Sequence, residues 1–183
     1  MIITRHDELT LRLQSGDLVL LADPVGARQK GDIVLRTSSI IDASALPADE
    51  IIMPGEYELK GVEIEGFPAG VQGKTLHTIY QVTWEDMRLV FLGNISKLPE
   101  GGFMKEITEP DVLFIPAGGD GLTPADAAKL TKQLEPSVVI PIAYKNAQDF
   151  PKAMGEKVDP QEKFVFKKKE LVEKQCRVVI LQQ

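Results

Sequence analysis

Residues 54–67 read Pro54-Gly55-Glu56-Tyr57-Glu58-Leu59-Lys60-Gly61-Val62-Glu63-Ile64-Glu65-Gly66-Phe67. Proline and glycine open the stretch, and the simplest reading is a turn in which Gly55 supplies an unusual backbone angle. Two short runs follow, Tyr57 to Leu59 and Val62 to Phe67, and both read as strands. The residues around them have the same texture, with Val, Ile and Leu in short runs broken by Gly, Pro and Asp. On the N-terminal side these runs are Leu9 to Leu13, Leu18 to Ala22, Ile33 to Leu35 and Ile51 to Met53, with Gly16-Asp17 as a hairpin signal between the first two. On the C-terminal side come Thr78 to Trp84 and Arg88 to Leu92, joined by the polar turn Glu85-Asp86.

Beyond that pair the texture changes. Val112 to Ile115, Val138 to Ile142 and Phe164 to Phe166 read as buried strands with helical patterns between them. The clearest helix runs from Pro124 to Leu134. Thr123 is its expected N-cap, Pro124 fits the first helical position, and Asp126 favours the positive N-terminus. Ala127, Ala128, Leu130, Thr131 and Leu134 form its inward face. A second helix is expected over Ala147 to Met154, ended by Gly155, and the segment from Asp42 to Glu50 has room for one helical turn. With no linker, repeat or low-complexity stretch, residues 1–183 read as one domain.

Composition narrows the function classes. The 183 residues are 43% hydrophobic, enough to build a core without disulfides. The 27 acidic residues outnumber the 21 basic ones for a net charge of −6, which argues against a nucleic-acid or anionic-membrane partner. No apolar run approaches the length that spans a bilayer, and Met1 to Asp7 lacks a signal-peptide core, so a cytoplasmic protein is expected. The lone Cys176, beside Arg177-Val178-Val179-Ile180-Leu181, reads as a small buried hydrophobe.

The inventory of chemistry-bearing residues is thin. His6 and His77 are too far apart in sequence to form a local ligand pair, and each reads as an ordinary surface or core group. No serine sits in a GxSxG elbow. The run Pro116-Ala117-Gly118-Gly119-Asp120-Gly121-Leu122-Thr123 puts glycines before a helix but matches no phosphate-loop pattern, and it reads as a turn. Lys167-Lys168-Lys169, with Glu170 and Glu173 nearby, reads as a solvated face.

The order of several segments nevertheless resembles the metallo-β-lactamase superfamily, in particular the small metal-dependent hydrolases related to ascorbate-6-phosphate lactonase. Pro54-Gly55-Glu56-Tyr57-Glu58-Leu59-Lys60-Gly61-Val62 is similar to that family's Pro-Gly-Glu-Tyr-Glu-Val-Lys-Gly-Val. Leu20-Leu21-Ala22-Asp23-Pro24 resembles its strand ending in Ile-Asp-Pro, and Asp32-Ile33-Val34-Leu35-Arg36-Thr37 resembles the strand that leads into its metal-binding motif. Ile115-Pro116-Ala117-Gly118-Gly119 and the segment Glu135 to Lys145 match further blocks in the same order. The resemblance implies an α+β fold, a four-layer αββα sandwich rich in strands and poor in helices.

It also implies where metal ligands would stand, and there the sequence departs. The family's His-x-His-x-Asp-His motif falls on Ser38, Ile40, Asp42 and Ala43, of which only Asp42 matches. No histidine occurs near Ala69 to Gln72, the bridging aspartate is Asn94, and the last histidine is Ala143. Ile40, Ala43 and Ala143 carry no donor atom, and Asn94 lacks the charge of the residue it replaces. The expectation is therefore a vestigial site at Ser38, Ile40, Asp42, Ala43, Asn94 and Ala143, with no metal, no other cofactor and no catalytic residue. Asp23, Gly118, Gly119 and Lys145 are candidate ligand-binding residues on the same rim. The functional expectation is a pseudoenzyme that binds a small molecule or protein there, or serves as an assembly subunit, with oligomeric state left open. The alternative is an enzyme, either with a remodelled site using Asp42 as base and Lys145 or the Gly118-Gly119 amides at an oxyanion, or with ligands lent by a partner subunit.

Overall fold

The computed structural model describes residues 1–26, 29–40, 50–97, 106–107, 109–172 and 175–182. Thirteen strands among them form two sheets. The smaller sheet has the order β12-β1-β2-β3-β4, built from β1 (Ile2–Arg5), β2 (Leu11–Ser15), β3 (Leu18–Ala22), β4 (Ile33–Leu35) and β12 (Lys163–Val165). The larger sheet runs β13-β11-β10-β9-β8-β7-β6. Its strands are β6 (Gly55–Leu59), β7 (Val62–Gln72), β8 (Thr75–Trp84), β9 (Met87–Phe91), β10 (Val112–Pro116), β11 (Val138–Ile142) and β13 (Arg177–Val178). A short strand β5 (Ser38–Ile40) pairs with the start of β8 outside that path.

The hydrophobic pattern explains the layering. In β10 and β11 every residue is buried, as parallel strands covered on both faces must be. Phe91, Phe114 and Ile140 point between the sheets, where they meet Leu13, Leu20 and Leu35. The Phe91 and Phe114 rings stack at 4.5 Å. The alternate residues Val90, Leu113, Ile115 and Val139 face outward and pack with Ala127, Leu130, Leu134 and Phe150. These last four belong to two helices, α1 (Pro124–Leu134) and α2 (Asp149–Met154). The architecture is the expected strand-rich sandwich of two sheets with helices outside.

Local chemistry sets the boundaries. The Thr123 hydroxyl accepts the Asp126 amide at 3.1 Å and caps α1, Pro124 fills its first turn, and Glu135 ends it in a left-handed conformation. Gly16 at φ 56° turns β2 into β3, and Glu85 and Asp86 at φ 53° and 59° turn β8 into β9.

Several sequence expectations are corrected. Pro54 to Tyr57 is not a turn: Gly55 at φ 150° already begins β6, which pairs with β7 from Gly55↔Gly66 to Leu59↔Val62. A Cβ on Gly66 would lie 2.9 Å from the Tyr80 ring and 3.1 Å from Pro54 Cα, so the close approach of backbone needs glycine there. β2 starts at Leu11 rather than Leu9, α2 at Asp149 rather than Ala147, and Ile51 makes only an isolated bridge to Leu35. β7 runs past Phe67 to Gln72 through a register shift between Pro68 and Gly70, where a bulge tolerates the proline. The helical turn expected between Asp42 and Glu50 falls on 41–49, outside the described residues.

Candidate functional site

Strand β4 ends at Leu35 and β5 begins at Ser38, and the junction between them is tied to Asp23. Asp23 follows β3 in a left-handed conformation at φ 47°. Its Oδ1 accepts the Thr37 amide at 2.8 Å and its Oδ2 accepts the Thr37 hydroxyl at 2.6 Å. The Asp23 amide donates to Leu35 O at 2.9 Å, and its carbonyl accepts the Thr10 hydroxyl at 2.7 Å. Burial pushes the Asp23 carboxyl up to about 6, against the two Thr37 hydrogen bonds and the nearby Arg36 charge, which favour the ionised form. Arg36 is itself held by Glu50, Nε to Oε2 at 2.6 Å and Nη2 to Oε1 at 2.9 Å.

Thr37 also connects this junction to the loop after β9. Gly93, at φ 64°, lies so close to Thr37 that a Cβ there would overlap the Thr37 hydroxyl. Next comes Asn94, whose Oδ1 is buried without a hydrogen-bond partner and would lie 2.6 Å from a Cβ built on Gly121. On the far side of that turn Gly118 abuts Tyr144 and Lys145: its Cβ would fall 3.3 Å from Tyr144 Cα and 3.6 Å from Lys145 N. A Cβ on Gly119 would fall 3.0 Å from Ala143 O. Ala143 adopts φ 54°, a conformation that costs an ordinary L residue about 1–2 kcal/mol. It is held there by its amide donating to Glu8 O at 2.9 Å.

The strand β5 takes Ser38 and Ile40 in another direction. Ser38 lies opposite His77 of β8 in register, and Ser38 Oγ is 3.1 Å from His77 Nδ1. Ile40 ends the strand 65% exposed. Of the sequence-derived residues, then, Asn94, Gly118, Gly119 and Ala143 gather on the turn before α1. Asp23 connects to that turn through Thr37 and Gly93, and Ser38 follows Thr37 in the chain. Lys145 is exposed beside Gly118, and Asp42 and Ala43 lie outside the described residues.

Comparison with known proteins meets this geometry. The family model described as "Beta-lactamase superfamily domain" matches residues 2–143. The chain belongs to the beta-lactamase superfamily. Among solved structures, a candidate Zn-dependent hydrolase of the metallo-beta-lactamase superfamily from Thermotoga maritima is 22% identical, with 99% of each chain covered and a TM-score of 0.79. A candidate metal-dependent hydrolase from Parabacteroides distasonis is 18% identical at TM-score 0.68, covering 98% of this chain and 93% of that one. The metallo hydrolase Igni18 from Ignicoccus hospitalis is 19% identical at TM-score 0.66, over 91% of this chain and 99% of the other. No curated protein matches the sequence significantly.

The superfamily name raises the question whether this member's residues suit a metal ion. Among the described residues no three His, Cys, Asp or Glu side chains stand together as a ligand set. Both carboxylate oxygens of Asp23 are engaged by Thr37, Ser38 is engaged by His77, and Ala143 offers no donor. That set does not fit zinc, which needs several anionic or imidazole donors converging on one point.

Sequence reading passed over one residue that the fold makes prominent. His77 lines a cavity of about 310 Å³ whose wall includes residues 69–72, Ser96 and Lys97. No local signal could have paired it with Ser38, since 39 residues separate the two. Cys176, expected to be buried, is half-buried: it packs against the outer core cluster, and desolvation pushes its thiol up to about 11, away from reactivity.

Proposed function

We propose that this superfamily member does not work through a metal-activated water and instead binds a ligand at the rim formed by Ser38, Asn94, Gly118 to Thr123 and Ala143 to Asn146. The observation that carries this reading is the state of Asp23. It is the one carboxylate among the sequence-derived site residues that the structure describes, and both its oxygens receive hydrogen bonds from Thr37 rather than facing open space; Asp120, on the turn before α1, is exposed. A carboxylate so engaged would have to abandon a buried hydrogen-bonded arrangement to ligate an ion, at a cost of a few kcal/mol. The fold alone grants no activity; the site must supply it.

The net charge of −6 supports a small-molecule or protein partner over nucleic acid. No helix among the described residues is long and apolar enough to cross a membrane, which accords with a cytoplasmic location. Elemental analysis of the purified protein, paired with hydrolysis assays with and without chelator, tests the reading. We expect zinc, iron and manganese well below one equivalent and no chelator-sensitive turnover. Stoichiometric metal together with hydrolysis that a chelator abolishes would overturn it.

A further inference from the structure

The cavity beside His77 differs in sign from the molecule that contains it. Carboxylates outnumber basic residues 27 to 21 in the chain, yet among the described residues no Asp or Glu lines this cavity, while Lys97 and His77 both do. Its volume of about 310 Å³ sits at the small end of ligand sites. One part of the wall is apolar, from Ala69, Val71 and Ile95; the other carries Ser96, Lys97 and His77. Ser38 Oγ lies 3.1 Å from His77 Nδ1. When Ser38 Oγ–H donates to Nδ1, the ring hydrogen resides on Nε2, making that nitrogen a donor.

We propose that this cavity binds a small organic anion, its oxyanion held by Lys97, His77 and Ser96 and its short apolar body resting on Ala69, Val71 and Ile95. Lys97 supplies the charge, and His77, fixed in orientation by Ser38, supplies a directed donor. The cavity adjoins that rim at Ser38, which bonds His77, and at Asn94, which precedes Ile95; the inference names a ligand class for this end of the site and rests on the ligand-binding reading.

The test uses probes that share a four-carbon body: butyrate, butyl phosphate and 1-butanol, titrated into the full chain and followed by amide and His77 ring resonances. Butyrate or butyl phosphate should shift the His77 and Ser96 signals saturably, and the stronger of the two identifies the head group as carboxylate or phosphate. The neutral alcohol should shift them little. Lys97→Ala should weaken binding about twofold to fivefold, the range of an exposed ion pair, and His77→Gln about tenfold. Lys97 is exposed, so its variant should fold even if the histidine variant does not. Equal binding of butanol, no saturable shift with either anion, or affinity unchanged in Lys97→Ala would each overturn the inference. The outcomes separate it from the reading beneath: metal loading sinks that reading, whereas a metal-free protein indifferent to these anions sinks only this one.

Discussion

Two regions flank Gly93, and they use their polar atoms in opposite ways. On one side, Asp23 and Thr37 form a closed knot: both carboxylate oxygens, the Asp23 amide and the Asp23 carbonyl all have partners at 2.6–2.9 Å. On the other, Asn94 holds a buried Oδ1 with no partner, beside a glycine turn and an alanine in a left-handed conformation. The difference teaches which half of the candidate site is tied into the fold by its polar groups. The knot fixes where β4 gives way to β5 and would be costly to disturb. The Asn94 side leaves a buried polar atom unpaired.

The sharpest way to break that contrast is Gly93→Ala. Its Cβ would overlap the β-branched Thr37 and force an alanine to φ 64°, so we expect a loss of about 3 kcal/mol in denaturant unfolding. A loss under 1 kcal/mol would show that Thr37 moves freely and that no knot exists. Thr37→Val keeps the shape against Gly93 and removes only the hydroxyl that Asp23 Oδ2 accepts; about 2 kcal/mol should be lost at neutral pH.

Asp23 makes the third test, through pH. Its folded pKa is raised to about 6 from an ordinary value of 3.8. The native state therefore holds a proton that the unfolded chain has released between those values. Its contribution is complete below the lower value and is lost as pH rises through about 6. The stability of the wild type relative to Asp23→Asn should accordingly fall between pH 4 and pH 7 by on the order of 2 kcal/mol. Asp32 and Glu50, whose pKa values are lowered first of all by hydrogen bonds from Lys60 and Arg36, contribute in the opposite direction but cancel in this difference. Parallel urea midpoints for the two proteins across that range would refute the assignment.

The smallest effect is expected at Asn94. Asn94→Ala removes an oxygen that has no partner, and unfolding should change by less than about 0.5 kcal/mol. A loss comparable to that of Thr37→Val would make the two regions alike and remove the contrast.

Particular elements show how far the sequence could be read. Helix α1 was legible to the residue because its signals are local: the Thr123 cap, the proline after it and the apolar face lie within a dozen positions. Strands β3, β4 and β11 were equally plain, as short apolar runs bounded by turn formers. β1 and β5 were missed for a different reason. Ile2–Arg5 becomes a strand by lying between β2 and β12, which are far apart in the chain. Ser38–Ile40 has little apolar content and becomes a strand only because β8 offers its edge. The far end of β7 was hidden by Pro68, which ordinarily argues against a strand and is accommodated here at a bulge.

The candidate site divides along the same line. The sequence by itself determined the fold family, the absence of donor atoms at Ile40, Ala43 and Ala143, and the order of the segments that form the rim, because side-chain chemistry and motif order are written in the chain. Tertiary structure alone decided that Asp23 is committed to Thr37, that Ser38 meets His77, and that Lys97 joins His77 around one cavity. Those facts depend on sheet register between distant segments, and register is set by which faces find a core, a condition met only once the two sheets have packed.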